Sequence, residues 1–262
     1  MLLYEPPPTP ADLHFRLLGV PVRVSPMFWV VTGLMALNRG RGTPPADFVI
    51  WVAVVFVSIV VHEMGHALLQ RRYGGTPRVT LHAVGGIASC DDGDPRPSSQ
   101  ILISLAGPAA GFALALLAVM AVRLSGHLVG WTSGGDVSPD DLGVDKAYQL
   151  PVLGGGIYWE ALGAYSANKI FANVLAVNIL WGLINLLPVY PLDGGRVSRE
   201  LCTLWRPRQG IILSLRISMV VAMAMSAFAF LAWRSFYTAL LFGYLAYSSY
   251  NALRAYQSHR RW

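Results

Sequence analysis

The run from Phe48 to Leu69 is long and apolar enough to cross a bilayer, yet His62-Glu63-Met64-Gly65-His66 stands inside it. An ionisable side chain at the centre of such a helix costs roughly 2.5–3.5 kcal/mol on insertion scales, so this cluster asks for a functional explanation. Helical spacing puts the two imidazoles at i and i+4 on one face, with Glu63 directly after the first. Two histidines in that register beside a carboxylate are the pattern of a zinc site that carries its own general base.

Composition fits a membrane chain. The sequence is 54% hydrophobic and only 13% charged, with a mean hydropathy of +0.48; a soluble domain carries about 25% charged residues. Windows of roughly 20 apolar residues predict about six transmembrane helices: Pro26–Leu37, which is short because Arg23 blocks its extension upstream, then Phe48–Leu69, Ile101–Val122, Ile170–Leu187, Ile211–Leu231 and Phe236–Ala252. The fold class expected is an all-α membrane protein with one small β-hairpin or re-entrant loop. Residues 1–262 form a single polytopic domain in this reading, with a core at about 48–205 and a C-terminal helix pair at 211–252.

Met1–Ala11 is proline-rich and lacks the basic flank and apolar core of a cleavable signal, so the first span is expected to target the chain. With the N-terminus inside, only Arg39, Arg41, Arg123, Lys146, Lys169 and Arg234 of the 20 Lys and Arg fall outside. That bias puts both termini in the cytoplasm, in a bacterial inner membrane. The net charge of +6 then reflects topology and anionic headgroups, and no compact basic domain suggests nucleic acid. Cys90 and Cys202 lie on the reducing side, without a CxxC partner, as packed or free thiols.

Between spans, alternation over Arg78–Ile87 and then Gly85-Gly86 predicts the hairpin, on the cytoplasmic side. Asp91, Asp92 and Asp94 read as an acidic turn in preference to a cation site, and His82 as an exposed hairpin residue. Ser125–Tyr165, rich in glycine, reads as an irregular outer loop with one short helix. Trp51, Trp159, Trp181, Trp205, Trp233 and Trp262 read as an aromatic belt near span ends. Leu253–Trp262 forms a basic, aromatic tail suited to the inner interface.

A catalytic zinc site needs at least three protein ligands. The best third candidate is Asp193, in Asn185-Leu-Leu-Pro-Val-Tyr-Pro-Leu-Asp-Gly-Gly-Arg196 at the end of the fourth span, on the same membrane side as the histidines. Pro188 and Pro191 interrupt the hydrogen-bond ladder and Gly194-Gly195 open backbone geometries closed to other residues. The helix is therefore expected to break here and turn the carboxylate inward, as is tolerated where backbone lines a cavity.

Three stretches, Phe56–His66, Leu105-Ala-Gly-Pro-Ala-Ala-Gly111 and Asn178–Arg196, resemble the site-2 proteases, a family of intramembrane zinc metalloproteases. The similarity runs from about Leu18 to Trp205. It implies one Zn2+ per chain held by His62, His66 and Asp193, Glu63 as catalytic base, and Asn185 holding the substrate backbone. Gly86 joins Asn185 as a candidate substrate contact on the hairpin. The partners implied are a transmembrane or membrane-anchored protein substrate and the bilayer. Relatives often add a PDZ module or a CBS pair, for which this chain has no room, and often carry an Asn where Gly111 stands. Gly107 and Gly111 read as a small-xxx-small packing face.

The resulting expectation is an intramembrane endopeptidase cleaving near the cytoplasmic side. The alternative is a zinc-binding membrane protein without proteolysis, or a metal transporter. Glu63 separates the two, because a transporter needs ligands and a path but no base beside His62. The third span also has no ionisable residue with which to line a path.

Overall fold

The computed structural model describes residues 7–37, 44–134, 136–152 and 154–259. Arg39, Arg41, Arg260, Arg261 and Trp262, counted in the charge and aromatic patterns above, lie outside the described residues, as does the start of the proline-rich N-terminus. Helix α1 spans Pro26–Leu37, α2 Pro45–Arg72, α3 Pro97–Leu124, α4 Pro139–Leu142, α5 Tyr165–Leu175, α6 Gly182–Asn185, α7 Asp193–Trp205, α8 Gly210–Leu231 and α9 Phe236–His259. A π-helical turn, Ala176–Trp181, joins α5 to α6. Helices α1 to α4 each open on proline, whose missing N–H costs nothing in a first turn.

Among the described residues four helices are long and apolar enough to cross a bilayer: Pro45–Arg72, Pro97–Leu124, Tyr165–Asn185 and Gly210–Leu231. At 1.5 Å per residue, the 12 residues of α1 reach about 18 Å, short of a roughly 30 Å hydrocarbon layer. Helix α9 has 24 residues, but its tyrosines, Asn251, Arg254 and Gln257 lower its hydropathy. The protein is a mostly helical, multi-pass membrane protein.

The strand content exceeds the single hairpin expected. β1 (Leu13–Leu17), β2 (Val20–Val24), β3 (Arg78–His82) and β4 (Gly85–Ser89) form one sheet in that order, and β5 (Val129–Thr132), β7 (Gly155–Glu160) and β6 (Ala147–Val152) form a second. The predicted hairpin is β3–β4, with Leu81 opposite Gly86. It is extended by β2, which runs parallel to β3, and by β1. The segment 125–165 contains the one short helix expected, α4, but its described residues also form the three paired strands β5–β7 in place of an irregular loop; Gly130 and Gly156 sit within those strands, where a Cβ would meet the Tyr158 ring and the Gln149 side chain respectively.

The chain divides into two compact units, residues 1–64, 78–89 and 109–182, and residues 65–77, 90–108 and 183–262. In the first, α1 follows β2 directly, with the Ser25 amide donating to the Leu81 carbonyl at 2.9 Å. Phe28, Trp29 and Phe56 meet ring to ring, bringing α1 against α2. A separate core gathers Ala115, Val122, Val129, Trp159, Phe171 and Leu175. Trp159 is thus a core residue, 2% exposed and edge-on to Phe171, and not part of an interfacial belt. Beside it Asn168 accepts from the Leu162 amide and the Trp159 indole and donates to the Leu162 and Ala164 carbonyls.

In the second unit α8 and α9 pair around Ala222, Phe242, Leu245 and Ala246, with Val189 inserted from the segment before α7. The Tyr190 amide donates to Ser218 Oγ, which meets Ser249 Oγ at 2.8 Å, so the interrupted chain is fastened to both helices. Two turn carboxylates organise the approach to α3. Asp92 accepts from the Thr76 amide and hydroxyl, and chiefly that amide bond lowers its pKa to about 2. Asp94 binds Arg96 and Ser99, with Arg96 holding it far below the usual carboxylate range. These assign the acidic cluster to turn formation. Because both folded pKa values are depressed, their stabilisation is complete above about pH 3.9 and is lost as pH falls through the folded values.

Replacing Asn168 by Ala strips acceptors from a buried indole and a part-buried amide, each worth about 1–3 kcal/mol. We expect a lower melting temperature in detergent and a red-shifted Trp159 emission; an unchanged midpoint would show that the 159–164 segment does not depend on Asn168.

Candidate metal centre

Helix α2 carries His62, Glu63 and His66 on consecutive turns, and Asp193 opens α7. The chain breaks between α6 and α7 across Pro188 and Pro191, as expected. Gly194 and Gly195 are required there by close approach: a Cβ on Gly194 would lie 2.1 Å from the Leu186 carbonyl oxygen, and one on Gly195 2.5 Å from the Val189 carbonyl carbon. Backbone cannot yield to such contacts, so the folded-back turn that presents Asp193 admits only glycine after it.

The Nδ1 of His66 lies 2.6 Å from the Ile103 carbonyl oxygen. A carbonyl only accepts, so Nδ1 carries a proton, which leaves Nε2 as the ring atom available for a ligand bond. That Nε2 lies 3.3 Å from Asp193 Oδ1. With His66 and Asp193 only 4% and 8% exposed, the two ligand atoms face each other away from bulk water, where a proton or a metal cation shared between them balances the carboxylate. Ideal zinc–nitrogen and zinc–oxygen bonds at a tetrahedral angle put the two donors ~3.4 Å apart. His62, one turn earlier, supplies a third atom, and the ligand atoms of His62, His66 and Asp193 all lie within 4.8 Å of one another. Two imidazoles and a carboxylate are a zinc donor set, and the carbonyl behind His66 is the kind of outer partner that orients metal-bound histidines.

Glu63 is 6% exposed and lies against the hairpin. A Cβ on Gly86 would fall 2.3 Å from Glu63 Cγ and 2.6 Å from its Oε1, so strand β4 passes over this carboxylate at a distance only glycine permits. Gly86 is therefore a strand residue that stands against Glu63; the turn is Ala83–Val84. Asn185 ends α6, part-buried, and among the described residues its side chain has no hydrogen-bond partner. His82, expected on the surface, is 6% exposed, because the end of β3 is covered near α1. Cys90 and Cys202 are free thiols.

Two supports of α2 have no sequence signature. One is the Ile103 carbonyl, a backbone atom. The other is Asn178, in the π-helical turn, which donates to Ser58 Oγ at 2.9 Å and to the Val174 carbonyl at 2.8 Å. Ser58 precedes His62 by one turn. Gly111 makes room for this, since a Cβ there would stand 3.3 Å from Asn178 Oδ1.

A family model described as Peptidase family M50 matches residues 50–232. The chain belongs to this family. A Synechocystis relative is 27% identical over 216 residues, covering 77% of this chain and 47% of its own length. The zinc metalloprotease of Methanocaldococcus jannaschii is 24% identical over 195 residues, 71% of this chain and 44% of that protein. The chain thus spans less than half the length of these curated relatives. In the solved structures, the site-2 protease from Methanocaldococcus jannaschii matches at a TM-score of 0.54 and 19% identity, covering 92% of this chain and 95% of that one, which shows a shared fold. The M50 match contains His62, Glu63, His66, Asn185 and Asp193 together.

Metal analysis of the purified M50 chain is expected to give one zinc per chain. Asp193→Ala and His66→Ala should lose it, while Glu63→Gln keeps it. Full zinc in Asp193→Ala would remove that carboxylate from the ligand set.

Proposed function

We propose that this chain is an intramembrane zinc endopeptidase that cleaves transmembrane or membrane-anchored protein substrates near the cytoplasmic side. The reading extends to six membrane crossings and a catalytic core at about residues 48–205, in a bacterial inner membrane with both termini cytoplasmic. The observation that carries it is the buried pairing of His66 Nε2 with Asp193 Oδ1 at 3.3 Å, on the helix that also buries Glu63. Membership of family M50 and the zinc metalloprotease among its relatives support the same chemistry.

In this proposal His62, His66 and Asp193 hold the zinc. When bound it supplies a Lewis acid, which lowers the pKa of water toward neutrality and polarises a peptide carbonyl. Glu63 takes the proton from the attacking water and returns it to the leaving amine. Burial keeps bulk water from competing for that proton, and β4 restricts Glu63 to a narrow space.

A helical substrate hides its carbonyls in its own hydrogen bonds and must unwind before it is cut. Strand β4 is an edge of its sheet, so an unwound segment adds to it as a further strand. Such a segment lies beside Gly86 and hence beside Glu63, and Asn185 bonds its backbone.

The test is cleavage of a single-span membrane protein by the reconstituted chain. Glu63→Gln should abolish cleavage with zinc retained, a loss of at least about 100-fold for a positioned general base. Gly86→Val should lower turnover sharply, also with zinc retained, because its side chain enters the space of Glu63. Zinc-loaded protein that cleaves no membrane substrate, or cleaves equally well as Glu63→Gln, would favour the non-proteolytic or transport reading instead.

A further inference from the structure

Helix α7 is amphipathic, and its apolar side is bare. Leu201, Leu204 and Trp205 recur at helical spacing and are 53%, 57% and 68% exposed, with Val197 half-buried one turn before Leu201. Arg196, Arg199, Glu200 and Thr203 share another side, and Gly195 and Cys202 form a buried seam between the two. The turn into α8 is closed tightly. The Arg206 amide donates to the Cys202 carbonyl at 2.8 Å and the Gly210 amide to the Arg206 carbonyl at 2.7 Å. A Cβ on Gly210 would lie 2.4 Å from Thr203 Cα, so α8 starts in backbone contact with the last turn of α7. Because α8 is long and apolar enough to cross a bilayer, residues 201–209 lie where the chain enters it.

Cations gather at that boundary. Arg206 and Arg208 are exposed in the turn. Arg216 is exposed less than two turns into α8, a depth from which a long side chain reaches the headgroups. Among the described residues none of these three has an acidic partner, whereas Arg199 is paired with Glu200 at 2.8 Å. The Arg206 guanidinium carbon sits 4.4 Å from the centroid of the Trp205 ring. Stacking of that kind fixes the planar group and leaves its N–H edge open to a phosphate.

We propose that the end of α7 and the turn into α8 are a docking site for anionic phospholipid. Leu201, Leu204 and Trp205 lie against the acyl boundary, and Arg206, Arg208 and Arg216 gather the phosphate headgroups. The bilayer is the occupant because α8 passes into it directly beyond the turn, and because an amphipathic helix ending in tryptophan and arginine matches the membrane interface in both polarity and charge. An acidic soluble partner would meet the arginines and leave the apolar stripe uncovered. A turn held in this way sets the depth of the helix that opens at Asp193. The surface requires α8 in the bilayer and is independent of proteolysis.

The test uses the full chain with Cys90→Ser and Cys202→Ser and a fluorescent probe on Leu204→Cys. It is reconstituted in vesicles holding equal amounts of phosphatidylcholine and phosphatidylglycerol, with a spin label on the acyl chain of either the first lipid or the second. Quenching by labelled phosphatidylglycerol should exceed quenching by labelled phosphatidylcholine at least about twofold, with aqueous iodide weaker than either. Arg206→Gln combined with Arg208→Gln should bring the two lipids level while both still quench, because the apolar stripe remains. The melting midpoint of the same preparations reports whether the variant is folded. If it is not, added sodium chloride, which screens the same attraction with the arginines in place, must level the two lipids. Equal quenching by the two lipids at the outset, a preference that survives salt or survives arginine removal in a folded variant, or dominant iodide quenching would overturn the proposal. Loss of the preference to inorganic phosphate at matched ionic strength would assign the arginines to free phosphate instead, and lipid quenching that falls as the protein is concentrated in the bilayer would put a second copy over the stripe; either result rejects the lipid site.

Discussion

One imidazole is held between a carbonyl and a carboxylate, both of which call for positive charge. Its Nδ1 is committed to the Ile103 carbonyl, and its Nε2 stands 3.3 Å from a carboxylate oxygen, a pairing that a ring proton or a bound metal cation balances. In water both groups would be solvated separately. In a buried site that option is gone, and an unbalanced anion costs several kcal/mol. The carbonyl can serve in this way because it has two lone pairs, one for its own helix and one for His66. The adjacent step of α3 is already loosened, since Pro108 has no N–H to give to the Ser104 carbonyl.

Glycine then sets how closely the surrounding backbone can approach. The absence of a Cβ at Gly86 lets β4 cross Glu63, and its absence at Gly194 and Gly195 lets the turn fold back on residues 186–190. Both are statements about space, not flexibility. At Gly194 and Gly195 backbone fills the volume that a side chain would need, and at Gly86 the Glu63 side chain fills it, so the positions of Glu63 and Asp193 both depend on what is missing beside them.

The site was legible in the sequence because its elements are local and chemically costly. His62, Glu63 and His66 share one helix face, and the Pro188–Gly195 stretch cannot continue a helix, so both could be read from periodicity and backbone chemistry. Strands β1 and β2 were not read, although Val20, Val22 and Val24 alternate with Pro21 and Arg23, because five-residue strands gain stability only from neighbours and one neighbour, β3, is far along the chain. The second sheet was hidden by its own glycines, which resemble loop composition until cross-strand partners such as Tyr158 and Gln149 fill the space above them. Burial of His82 and Trp159 likewise depends on tertiary cover that no local pattern encodes.

The π-helical turn shows how a buried polar side chain is accommodated without a loss in the helix ladder. Widening the helix over Ala176–Trp181 disturbs its regular bonds, yet Asn178 donates one amide hydrogen back to the Val174 carbonyl and sends the other to Ser58. The defect in one helix therefore becomes a hydrogen bond to another, in a region where water is scarce and an unmade bond is expensive. Ser58 lies one turn before His62, so the bond acts on the rotation of α2 about its own axis. Rotation is what decides whether His62 and His66 present their ring nitrogens to the same point, since helix spacing alone fixes them relative to each other but not to anything outside the helix. An apolar contact at Asn178 would hold the helices together without selecting that angle, whereas a directional bond to a single hydroxyl does.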